Sequence, residues 1–208
     1  MNIFKNIQAV QACENIPFKD ILGMIQGKFV VDMNGSTHSV YNLIEKTQKA
    51  REAGKGSEEY ARLKKSMPAV TIHAYFRGAR KISTSHDFTN VLMFDFDNIP
   101  ETDMKTVIEK CKSIPEVRYC FMSLSGQGLH LLVKVENLTD ENFKEVYLVL
   151  GIYLSYWIGY DYDTACSDIT RLMILNHDPN LYINKESTIV DANKITEFNN
   201  FLNHIFNE

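Results

Sequence analysis

Four cysteines are all that this chain of 208 residues holds (Cys13, Cys111, Cys120 and Cys166), and no two stand in a CxxC pair. That scatter argues against a zinc knuckle and against a disulfide framework. Apolar runs are short, and none approaches the roughly 18–20 residues that span a bilayer. Met1-Asn2-Ile3-Phe4-Lys5 leads into no uninterrupted apolar core of the secretory kind, so the expected location is the cytoplasm, without a membrane partner. A Walker A sequence is missing, and so are internal repeats and low-complexity linkers. What is present is ordinary for a soluble globular protein, with 45% hydrophobic and 23% charged residues. The length allows one large domain or two small lobes.

The net charge of -4 is unevenly placed. Residues 1–90 carry 13 Lys/Arg against 8 Asp/Glu, and residues 91–208 carry 9 against 18. Within 46–81 the count is 10 against 3. A basic stretch beside an acidic half fits a polyanion held next to a metal site, although a solvated helix face explains the same count. Lys64, Lys65, Arg77, Arg80 and Lys81 are the candidate nucleic-acid contacts. Tyr75 and Phe76 beside Arg77 offer stacking next to charge; a solvated hairpin tip fits equally.

Periodicity divides the chain near residue 90. Residues 16–65 read as helical: one helix around Lys19–Ile25, one capped by Ser36-Thr37 and running to Ala53, and one capped by Ser57 and ending at Lys65. A β-rich run follows at 69–76. From residue 91 the order is strand (91–97), helix from Pro100 to Ser113, strand (117–124), turn (125–128), strand (129–135), helix (140–158) and strand near 171–175. This β-α-β-β-α-β order predicts an α+β fold with a ferredoxin-like, RRM-like catalytic half at 91–208. Residues 1–90 would be an N-terminal α/β half of one composite domain. A short strand near 187–190 and a helix over 193–206 close the chain.

Three constellations carry chemistry. Asp95 and Asp97 end an apolar strand, Val91-Leu92-Met93-Phe94-Asp95-Phe96-Asp97. At i and i+2 they face one side, and two crowded carboxylates favour a hard cation; solvated acids at a strand end are the alternative. Next, Ser123-Leu124-Ser125-Gly126-Gln127-Gly128-Leu129-His130 is a Gly-rich turn entering a strand. Its backbone N–H groups, Ser123, Ser125 and the His130 ring suit a triphosphate, whereas a plain hairpin turn needs the same glycines Gly126 and Gly128 for positive φ. Third is the acidic loop Asp161-Tyr162-Asp163-Thr164-Ala165-Cys166-Ser167-Asp168-Ile169-Thr170-Arg171. Asp163 is the candidate third carboxylate, with Asp161 and Asp168 as alternatives. Arg171 can pair with Asp168 or reach a phosphate. His73, His86 and His177 read as structural.

In this order, these three segments resemble the motifs of the archaeo-eukaryotic-type primases and primase-polymerases. With Met67-Pro68-Ala69-Val70-Thr71 and Asn176-His177-Asp178-Pro179-Asn180-Leu181-Tyr182-Ile183-Asn184, the chain resembles the VirE N-terminal-type branch of bacterial mobile elements over about residues 15–190. The resemblance implies a nucleotidyltransferase with a two-metal Mg2+ or Mn2+ site on Asp95, Asp97 and Asp163. His130 would contact the incoming nucleotide's phosphates, and Arg171 would be the basic residue after the third carboxylate. It implies nucleoside triphosphates and single-stranded or primed DNA as partners, with a helicase domain or protein as companion. A non-catalytic nucleic-acid-binding module and a metal-dependent nuclease are the rival readings.

Overall fold

The computed structural model describes residues 1–12, 14–28, 40–54 and 56–207. The chain folds into two compact units. The first comprises 1–89, 122–126 and 170–181, and the second 90–121, 127–169 and 182–208. The chain thus leaves the first unit after residue 89 and returns to it twice.

In the first unit the chain runs β1 (Asn2–Phe4), β2 (Glu14–Asn15), α1 (Phe18–Ile25), α2 (Val40–Ala53), α3 (Glu58–Ser66), β3 (Ala69–Thr71), β4 (Ala74–Phe76) and β5 (Ser85–Phe88). The Ser57 side chain caps α3 by accepting from the Tyr60 N–H at 3.2 Å, as the sequence predicts. The expected cap at Ser36-Thr37 lies outside the described residues. The 69–76 run is not one strand. It breaks at Ile72-His73, and β4 turns away to pair with β5 while β3 pairs with β1. His73 is fully buried there, and its carbonyl accepts from the Thr89 N–H.

The second unit holds β6 (Val91–Phe96), α4 (Glu101–Ser113), β7 (Val117–Met122), β8 (Leu129–Glu136) and α5 (Phe143–Ile158). The chain next forms β9 (Leu172–Ile174) in the first unit, and ends in the second with β10 (Tyr182–Ile183), β11 (Val190–Asp191) and α6 (Ile195–Phe206). The five-stranded sheet runs β10-β7-β8-β11, with β6 also bonded to β8. β9 corrects the expected topology. The strand predicted near 171–175 forms, but it pairs with β3 in the four-stranded sheet β2-β1-β3-β9 instead of completing the sheet that holds β6. A three-residue apolar segment carries no mark of which sheet it will join; the pairing is settled by tertiary packing.

The β6–β8 ladder positions the site. It is antiparallel and in register from Val91↔Lys134 to Phe96↔Leu129, which sets Asp95 directly opposite His130. α5 is pinned to β6: Phe94 and Tyr147 stack at 4.7 Å, and the Tyr147 hydroxyl donates to the Met93 carbonyl at 2.9 Å. Gly159 ends α5 in the left-handed conformation (φ 84°), which turns the chain back toward β6. Tyr162 then bridges to Phe96 and packs on α5 at Gly151, where a side-chain carbon would overlap its ring. No described helix is long and apolar enough to cross a membrane.

Candidate metal centre

Asp95 is half-buried on β6, in a strand otherwise buried from Val91 to Phe96. The loop after α5 comes to it through the backbone: the Asp163 N–H donates to the Asp95 carbonyl at 2.7 Å. Asp163 opens a single 3₁₀ turn (164–166), where its Oδ1 accepts from the Ala165 N–H at 2.9 Å. The turn brings round Cys166, a fully buried thiol that donates to Asp163 Oδ2 at 3.5 Å. One ligand atom each from Asp95, Asp163 and Cys166 lie within 4.8 Å of one another.

A divalent ion with ligand bonds of about 2.0–2.6 Å holds donors on opposite sides within roughly 4–5 Å, so this group suits one cation. The two carboxylates suit a hard ion such as Mg2+ or Mn2+.

His130 sits beside this group on the neighbouring strand. Its Nε2 is 3.7 Å from Asp95 Oδ1, within ion-pair reach but beyond a hydrogen bond. Its Nδ1 is 3.3 Å from Met93 Sδ, and Phe121 stacks on the ring at 5.3 Å. The imidazole is thus buried and faces the carboxylate.

The other expected residues are placed as follows. Asp97 lies just past the end of β6, exposed and outside the 4.8 Å group. Of the three acids left open in the loop, Asp163 is the one brought to Asp95, while Asp161 and Asp168 are outside that group. Ser123, Ser125, Gly126 and Arg171 belong to the first unit, and Gly128 and His130 to the second. The Ser123 and Ser125 hydroxyls are 2.9 Å apart, and Gly126 has φ +69°, closing a turn through its N–H to the Ser123 carbonyl. Lys64, Lys65, Arg77 and Lys81 are exposed. Arg80 differs from them: it donates to the Thr170 carbonyl at 2.9 Å and lies over the Phe4 ring at 5.7 Å, so its guanidinium serves the packing of the first unit. His177 packs against Gly27 and meets Tyr41 edge-on, a structural setting.

Cys166 is the member that sequence reasoning missed. The signal was its place three residues after Asp163, which one helical turn brings to the same side.

A sheet strand and a returning loop that gather two carboxylates, a thiol and a neighbouring imidazole define a candidate divalent-cation centre. Residues 62–183, more than half of the chain, match the family described as BT4734-like, N-terminal domain, and the chain belongs to that family. No curated protein matches. Among solved structures the chain is similar to the AEP domain of the cyanophage S-2L primase-polymerase (PrimPol). The TM-score is 0.44 with 12% sequence identity, over 64% of this chain and 69% of that one.

Proposed function

We propose that this chain is a metal-dependent nucleotidyltransferase of primase-polymerase type, extending or initiating nucleic-acid strands from nucleoside triphosphates. The observation that supports it most is the convergence of Asp95 and Asp163, from a strand and a loop 68 positions apart, to within one cation's reach. The motif order of the sequence supports the same reading, as does its resemblance to the VirE N-terminal-type primases.

In this reading Asp95, Asp97 and Asp163 would hold the cations, Asp97 from the exposed end of the strand. Mg2+ or Mn2+ there supplies charge stabilisation for the attacking 3′-hydroxyl and the departing pyrophosphate. His130 faces Asp95 from the neighbouring strand and can offer an Nε2–H to an anion. Arg171 and the Ser123–Gly126 turn are the proposed phosphate contacts, on the strength of the motif order. Lys64, Lys65, Arg77 and Lys81 are the proposed contacts to single-stranded or primed DNA.

The test is incorporation of labelled nucleotide on bare and primed single strands with Mg2+ or Mn2+. Wild type incorporates, and Asp95→Asn and Asp163→Asn each lose at least about 100-fold, as expected for charges acting on the reacting oxygens. Equal incorporation by the variants, or none by wild type, overturns the proposal. Salt-sensitive strand binding that survives both substitutions would then favour a non-catalytic binding module.

A further inference from the structure

The thiol is the unexplained member of the centre. Cys166 is fully buried, yet burial brings it among charged groups, with its sulfur in the same 4.8 Å group as the Asp95 and Asp163 oxygens. The 3₁₀ turn that presents it is capped by Asp163. An all-oxygen set suits Mg2+, which demands near-ideal octahedral oxygen geometry. A sulfur donor suits later first-row ions, which accept thiolate and mixed geometries.

We propose that Cys166 is a ligand of this centre, and that the O,O,S donor set makes it take a softer transition-metal dication (Co2+ or Zn2+) in preference to Mg2+. This rests on the metal-centre reading above. On binding, the S–H bond breaks, its proton goes to solvent and the sulfur pair goes to the metal; no electron is transferred and no redox partner is needed. The hydrogen bond from Sγ to Asp163 Oδ2 is given up at the same moment, which releases that oxygen for the ion.

Titration of the full chain with Co2+ tests it directly, since a thiolate ligand produces a charge-transfer absorption that carboxylates do not. Wild type shows the band, and so does the Cys111→Ser/Cys120→Ser variant. Cys166→Ser and Cys166→Ala lose it, and Cys166→Ser lowers the preference for Co2+ over Mg2+ by roughly tenfold or more in direct binding. Co2+ binding by wild type without the band overturns the proposal, as does a band that persists in both Cys166 variants. Incorporation activity stands apart from the band. An active enzyme without it sinks the sulfur ligand alone, whereas a band in an inactive protein sinks the polymerase reading alone.

Discussion

At the scale of the residue, the site is a conflict awaiting a cation. The main chains of Asp95 and Asp163 are tied by the Asp163 N–H to Asp95 carbonyl bond, and the 3₁₀ turn holds the Asp163 carboxylate on the same side. Removing one charge therefore relieves the folded protein when metal is absent. Asn can still cap the 3₁₀ turn as Asp163 does. Asp163→Asn is expected to unfold at a higher temperature than wild type in chelator. Wild type, at a Mn2+ concentration a hundredfold above Kd, gains about 2.7 kcal/mol. For a chain of this size that is roughly 5–10 °C, and the variant gains little. Thermal melts with chelator and with Mn2+ check both parts. Asp95 stands out in the sequence because a charge inside an apolar strand is costly without a partner, and Asp97, Asp163 and His130 were singled out only with the motif order. Cys166 was not legible, because a small apolar-leaning residue in a loop reads as packing until its neighbours are known. The strand was read one residue too long, through Asp97; it ends at Phe96.

At the scale of the element, α5 and its returning loop carry Asp163 to β6. Gly151 lets the Tyr162 ring lie against the helix backbone, and the ring is also packed on Phe94 and Tyr147. Alanine in place of a mid-helix glycine ordinarily stabilises by about 0.5–1 kcal/mol. Here Gly151→Ala is expected to destabilise instead, and to weaken metal binding by displacing the residue next to Asp163. Combining it with Tyr162→Ala should restore the ordinary gain, and a double-mutant cycle on unfolding free energies measures the sign. Most helices and strands were legible within a few residues because their caps and periodicities are local: Ser57, Pro100 and the apolar run of β6 each act over one turn or a few pleats. The split of 69–76 into two strands was not, because the break at Ile72-His73 reflects two partner strands, β1 and β5, that local sequence does not name.

At the scale of the whole molecule, two tyrosines, the buried Tyr147 and the half-buried Tyr153, set a limit on the alkaline side. Burial is the main cause that pushes Tyr147 far above the ordinary tyrosine range, helped by the neighbouring Cys166, Tyr162, Asp95 and Asp163. Burial, with Glu116 alongside, raises Tyr153 as well. A raised folded-state value favours the neutral form in the fold, so the stability it represents is whole below about pH 10, the unfolded value, and drains away as pH climbs beyond it. Of the ten tyrosines, these two are expected to stay un-ionised until the protein unfolds. Tyrosinate absorbance followed alongside circular dichroism checks this. Charge and periodicity change near residue 90 in the sequence. The returns of 122–126 and 170–181 to the first unit were not legible there, since they depend on β3 finding β9 far along the chain.

That distant pairing has a consequence for synthesis. Thr71 bonds in register with Leu172, so the sheet of the first unit lacks an edge until roughly a hundred further residues have been made, on the order of 5–20 s at usual elongation rates. Within that interval β6, β7, β8 and α5 emerge in full. The unit that begins first on the ribosome is therefore completed after the core of the second, and a nascent-chain arrest series should find it protected from protease only once Ile174 has cleared the exit tunnel.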